Sequence, residues 1–156
     1  PVGTFEPQTK EIAEAIAGDR HSLYIFEALK PGQHGDLHIT SHRFDEPRAL
    51  ALLAEARQAV AVHGRRDDGR ADVWLGGRDE VLRDAIGQAL RAAGFAATLG
   101  DRLPGLHRRN ICNRTARGRG VQLELPMCLR RSLGRDNAML GRFARAVRRG
   151  LSDEGS

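Results

Sequence analysis

The chain has 156 residues and sets 25 Lys and Arg against 20 Asp and Glu, a formal charge of +5. That length suits a single domain, residues 1–156, around one core, and that charge suits an acidic partner. No apolar run reaches the roughly 18 residues that cross a bilayer, and two cysteines with no CxxC pair exclude both a disulfide framework and a cysteine-built zinc site.

All but Lys10 and Lys30 of the basic residues are arginine, a bias typical of a GC-rich bacterial genome. Aromatic residues make up only 4 %, so base-stacking platforms are scarce and nucleic acid is the weaker reading of the charge. Cys112 and Cys128 read as reduced thiols, with a disulfide between them left open. No basic-then-apolar secretory leader stands at the start. With Pro1 as the first residue an initiating segment has been removed or left out, which leaves export as a precursor open.

Thr9 reads as the cap of a helix from about Lys10 to Ala17, with Ile12, Ala13 and Ile16 on one face and Gly18 as the stop. Ser22 to Leu29 reads as a strand and Lys30 to Gly35, with Pro31 and Gly32, as a loop. Leu37 to Thr40 is a short extended segment. Asp45 reads as the cap of a helix with Pro47 in its first turn, running to about Gln58. Ala59 to Val62 is a buried strand. After the charged turn Arg65 to Arg70, Asp72 to Leu75 is a strand that ends in Gly76-Gly77. Asp79 to Ala93 is an amphipathic helix stopped by Gly94, and Phe95 to Leu99 a further strand. Arg102 to Gly120 is long, polar and glycine-rich, the kind of loop that is often functional. Val121 to Leu125 is a strand and Asp136 to Arg149 the final helix. Strands alternating with helices imply an α/β layer fold with a largely buried sheet.

Five places could carry chemistry. His63 follows four apolar residues and precedes Gly64 at the expected carboxyl end of a strand, where ligand sites of open α/β sheets gather. The same spacing also suits a histidine that is simply hydrogen-bonded. Glu124 alternates with Leu123 and Leu125, so it shares a face with Gln122. On an edge strand that face meets water. In a sheet buried on both sides it must point into a polar site, because an unpaired buried carboxylate is costly. Asn110-Ile111-Cys112-Asn113-Arg114 gathers amides and a guanidinium able to grip a carboxylate, or is one more basic loop. Asp36 and His38 share a face, where a carboxylate could orient an imidazole. Glu6 precedes the first helix and could cap it or bind metal.

Phe5-Glu6-Pro7 with Thr9 and Glu11-Ile12-Ala13 begin an ordered set of matching segments. Tyr24-Ile25-Phe26-Glu27, Asp36-Leu37-His38-Ile39-Thr40-Ser41 and Arg43-Phe44-Asp45-Glu46-Pro47 follow. The set continues through His63-Gly64, Gly76-Gly77, Asn110 to Arg114 and Gly120-Val121-Gln122-Leu123-Glu124. In this order the chain resembles the poly-γ-glutamate hydrolase family of phage and bacterial proteins. The resemblance implies a zinc-carboxypeptidase-like fold, a three-layer αβα sandwich on a mixed, mostly parallel sheet. It also implies a zinc metallopeptidase that cuts γ-glutamyl amide bonds of an acidic polypeptide. The family's zinc set, a histidine and a glutamate of a His-Gly-Gly-x-Ile-Glu-Pro motif and a later histidine, carries over to Glu6 and His63. The first histidine falls on Pro1, or on Val2 with a gap, and one or two upstream strands of the family are absent. The resemblance implies Glu124 as general base, Arg114 as a catalytic anion clamp, and Asn110, Asn113, Arg114 and His38 as substrate contacts. A metal-poor, inactive anion-binding homologue and an arginine-rich nucleic-acid-binding protein are the alternatives. The sequence leaves oligomeric state open, and localisation as well, cytoplasmic or released.

Overall fold

A computed structural model describes residues 8–25 and 45–152. In chain order its elements are α1 (Thr9–Ala17), α2 (Pro47–Glu55), β1 (Val60–Arg65), β2 (Val73–Gly77), α3 (Glu80–Ala92) and β3 (Ala97–Leu99). A 3-10 turn (Ile111–Asn113), β4 (Val121–Pro126), α4 (Met127–Arg135) and α5 (Asn137–Ser152) follow. The class is α/β, as the alternation of strands and helices implies.

The four described strands form one mixed, mostly parallel sheet in the order β1-β4-β2-β3. β1 runs parallel to β4, and β2 parallel to β3, while β4 and β2 are antiparallel. Among the described strands the last in sequence therefore inserts between β1 and β2 and becomes central. β2, α3 and β3 form a β-α-β unit, whose parallel strands require a crossover helix.

One hydrophobic cluster lies on one face of this sheet. Val121, Leu123 and Leu125 of β4 and Val73 and Leu75 of β2 meet Ile12 and Ile16 of α1, Leu82, Ile86 and Leu90 of α3, Leu129 and Leu133 of α4, and Phe143 and Val147 of α5. Phe95 and Phe143 pack edge to face with centroids 5.1 Å apart, a favoured quadrupole geometry. The opposite face of the same strands carries the polar residues.

Several boundaries differ from the sequence reading. Thr9 lies inside α1; the preceding Gln8 takes the N-cap position in a left-handed conformation without a side-chain cap. Glu46, not Asp45, caps α2: its Oε2 accepts from the Ala49 N–H at 2.8 Å, and Pro47 sits at the first helical position. α2 ends at Glu55 rather than near Gln58. Residues 22–25 of the expected strand are irregular, and its remainder, with the segment 37–40, lies outside the described residues. β1 extends through His63-Gly64-Arg65, so His63 lies within the strand. α4 has no counterpart in the sequence reading. Asp79, read as the first helical residue, is the N-cap of α3, its Oδ1 accepting from Leu82 N–H.

Candidate functional site

β-sheet register decides which side chains on neighbouring strands share a face. His63 of β1 is the direct partner of Glu124 of β4, and Glu124 in turn of Trp74 of β2, itself paired with Thr98 of β3. A row of four side chains therefore crosses the face turned away from the core, with strands spaced about 4.8 Å apart. Gln122 stands two residues behind Glu124 on the same face. Because β4 is central, Glu124 is buried, at 7 % exposure, and not an edge residue facing water. The two-sided reading of its strand is the one the structure adopts.

Glu124 is held from behind. The Gln122 Nε2 group donates to Glu124 Oε1 at 3.2 Å and to the Leu103 carbonyl at 2.9 Å. Gln122 Oε1 accepts from Asn110 Nδ2 at 2.9 Å, and Asn110 Oδ1 accepts the Cys112 N–H at 3.2 Å. The loop between β3 and β4 thus lies on the polar face of the sheet and buries its amides there. It can do so because position 76 is glycine: a Cβ there would meet the Pro104 carbonyl oxygen at 2.7 Å.

Asn113 is 2 % exposed and fully engaged by backbone. Its Oδ1 accepts from Arg78 N–H at 3.1 Å and Gly120 N–H at 3.2 Å, and its Nδ2 donates to the carbonyls of Gly105 at 2.7 Å and His107 at 3.0 Å. Arg114 follows it as the half-buried C-cap of the 3-10 turn. Among the described residues its guanidinium makes no hydrogen bond or ion pair. The neighbouring Cys112 thiol is pushed up to about 12, first by burial and then by the charge of Glu124. It is a protonated, inert thiol at neutral pH.

The rim beyond Glu124 is closed by Arg65. This buried guanidinium pairs with Asp72 and with Asp68, each at 3.0 Å, and lies over the Trp74 ring at 3.9 Å from its centroid. Thr98 Oγ1 donates to the second Asp72 oxygen at 2.8 Å. Trp74 and Thr98 also line an open cleft of about 460 Å³ whose charged lining is Arg70 and Arg102 with Asp68, Asp72 and Asp101. On the core side, Gly64 lies against Arg130: a Cβ at 64 would meet Arg130 Cζ at 2.7 Å. Arg130 donates to the carbonyls of Leu125 and Arg65, tying together the ends of β4 and β1. The His63-Gly64 pair thus has a packing cause for its second residue.

Of the expected site residues, the fold brings His63 and Glu124 side by side and connects Asn110 to Glu124 through Gln122. Asn113 is tied into the loop backbone beside Arg114. Glu6 and His38 lie outside the described residues. Sequence reasoning did not single out Trp74, Arg65 or the linking role of Gln122. Alternation of Trp74 with the core residues Val73 and Leu75 was the available signal for its polar-face position. As for metal, the described residues offer the His63 imidazole beside the Glu124 carboxylate. No group of three His, Cys, Asp or Glu able to hold an ion occurs among the described residues.

A family model described as poly-gamma-glutamate hydrolase matches residues 2–149. The SPbeta prophage-derived UPF0714 protein YoqZ of Bacillus subtilis (strain 168) is 34 % identical over 143 residues, 90 % of this chain and 52 % of its own length. The UPF0714 protein YmaC of the same organism is 37 % identical over 126 residues, 79 % of this chain and 53 % of its own. The chain spans about half the length of the curated relatives it matches. A solved bacteriophage poly-gamma-glutamate hydrolase matches with a TM-score of 0.88 at 33 % identity, covering 96 % of this chain and 78 % of the other. A structure described as zinc-free apo YNDL matches with a TM-score of 0.82 at 28 % identity, covering 100 % and 91 %.

Proposed function

Because the chain belongs to the poly-gamma-glutamate hydrolase family, we propose that it is a zinc metallopeptidase that hydrolyses γ-glutamyl amide bonds in poly-γ-glutamate or a related acidic peptide. The observation that carries this reading is the register pairing of His63 with Glu124 on the polar face of the sheet. An imidazole and a buried carboxylate in that relation are the described half of a hydrolytic metal site.

In this proposal Glu6 and His63 hold the metal. Zinc, when bound, supplies Lewis acidity toward the scissile carbonyl. Glu124 accepts a proton from the attacking water and delivers one to the departing amine nitrogen. Arg114 receives an α-carboxylate of the substrate through parallel N–H bonds, the interaction its planar fork favours. His38 contributes a further substrate contact. Asn110 and Asn113 act by fixing the loop that carries Arg114, since their amides are already engaged within the protein. The net charge of +5 favours approach of an anionic chain.

Replacing Glu124 by Gln keeps the shape of the side chain and removes its basicity. Hydrolysis of γ-linked polyglutamate then falls by about 10²-fold or more, while the melting temperature changes little. An active Gln variant would eliminate Glu124 as the base. Zinc measured on the purified protein, with product analysis on γ- and α-linked polymers, tests the metal and the linkage together.

A second reading is an anion-binding homologue without metal. The resemblance sets Pro1, or Val2 with a gap, at the family's first histidine, and a site with fewer ligands holds zinc more weakly. Stoichiometric zinc would reject this reading.

A further inference from the structure

The hydrogen bonds behind Glu124 have a direction, and that direction is set by the backbone. The Cys112 N–H can only donate, so the Asn110 oxygen must face it. That leaves the Asn110 NH₂ to donate, so Gln122 must present its oxygen to Asn110. The Gln122 NH₂ is then turned toward Glu124 and the Leu103 carbonyl, which both accept. Each amide has one orientation that satisfies every neighbour. Asn110, Gln122 and Glu124 are all buried, where a reversed amide would set acceptor against acceptor at high cost.

We infer that Asn110 and Gln122 are positioning residues that hold Glu124 by a one-way amide relay originating at the Cys112 backbone N–H. This rests on the assignment of Glu124 as general base. The relay fixes the terminal torsion of the glutamate, which for a free carboxylate is broad. It also makes the loop between β3 and β4 a part of the catalytic geometry without touching substrate. A base misplaced by about 1 Å can lose on the order of 100-fold in rate, so the relay belongs to kcat and not to substrate affinity.

Two substitutions at Asn110 separate this role from mere loop anchoring. Asn110→Asp keeps the size and still accepts the Cys112 N–H, but it cannot donate to Gln122. The carboxylate of residue 110 then opposes Gln122 Oε1 acceptor to acceptor and pushes the Gln122 side chain, whose NH₂ stays bound to the Leu103 carbonyl, off Glu124. Asn110→Ala removes the cap altogether but leaves Gln122 able to keep its present orientation. The relay therefore makes Asn110→Asp the slower enzyme, by about 10-fold or more in kcat with KM little changed, although it keeps the Cys112 cap that Asn110→Ala loses. A structural anchor gives the opposite order, with Asn110→Ala slower, and that order or equal rates overturn the inference.

A second readout needs no turnover. In the parent protein the side-chain NH₂ protons of Gln122 are shielded from exchange and show nuclear Overhauser contacts to the Glu124 side chain. In Asn110→Asp those contacts weaken, and in Asn110→Ala they persist. Contacts as strong in Asn110→Asp as in the parent overturn the relay. Should Glu124→Gln remain active, the general-base reading fails on its own while this signature still reports on the relay.

Discussion

Asn113 divides its amide among four backbone groups contributed by three stretches of chain, Arg78, Gly105 with His107, and Gly120. Removing it leaves donors and acceptors in a site with no room for bulk water, each costing about 1–3 kcal/mol. Asn113→Ala is expected to lower unfolding stability by about 3 kcal/mol or more, read from urea denaturation at unchanged m-value. A loss below about 1 kcal/mol would mean that the loop satisfies those groups by itself. From sequence, an amide beside an arginine in a polar loop reads as a substrate contact. The groups Asn113 actually holds include a backbone N–H 35 residues earlier, and no local pattern announces such a partner. His63 and Glu124 were legible because apolar neighbours on each side made their polarity conspicuous.

At the scale of elements, α2 depends on a single carboxylate. Glu46 is held down to about 2 by the Tyr24 hydroxyl, then by the Ala49 N–H and by Arg48. Its ordinary value is 4.5, so this carboxylate binds its proton more readily in the unfolded chain than in the folded one. The stabilisation is complete above about pH 4.5 and disappears as pH falls toward 2. Amide exchange at Ala49 and Leu50 should accelerate, relative to the α3 amides, across that interval. In Glu46→Gln the ratio should be flat. A parent protein with the same flat ratio would show that Glu46 does not anchor α2. The sequence suggested Asp45 as cap because aspartate is the commoner capping residue; the longer Glu46 serves because its side chain also reaches Tyr24 and Arg48. α4 escaped the sequence reading for a comparable reason. It starts after Pro126 with no side-chain cap, and its apolar face is short, with Leu129 and Leu133 its buried hydrophobics. α3, with a capping aspartate and Gly94 in a left-handed conformation after its end, was readable throughout.

On the scale of the molecule, the strand order places a carboxylate of β4 between residues of β1 and β2. Alternation alone told which residues share a face with Glu124, but not whether β4 is central or at an edge. That distinction comes from pairing between distant segments, which local pattern does not encode. On the proposed function, the charge of +5 predicts strong salt dependence for a polyanionic substrate. Raising ionic strength from about 0.05 to 0.5 M shortens the screening length severalfold and should lower kcat/KM on long polyglutamate by about 10-fold. A neutral γ-glutamyl amide should feel little of this. Equal salt responses for the two substrates would remove electrostatic capture from the account. The pairing of β1 with β4 also has a temporal consequence. His63 and Glu124 lie about sixty residues apart along the chain yet must dock in register, a non-local contact of the kind that slows folding. A nascent chain that has emerged only as far as the β3–β4 loop owns the histidine but not its carboxylate neighbour. On the proposed function, activity therefore arrives late in synthesis, once the central strand has threaded into place, and fragments ending before Val121 should be inert toward the polymer.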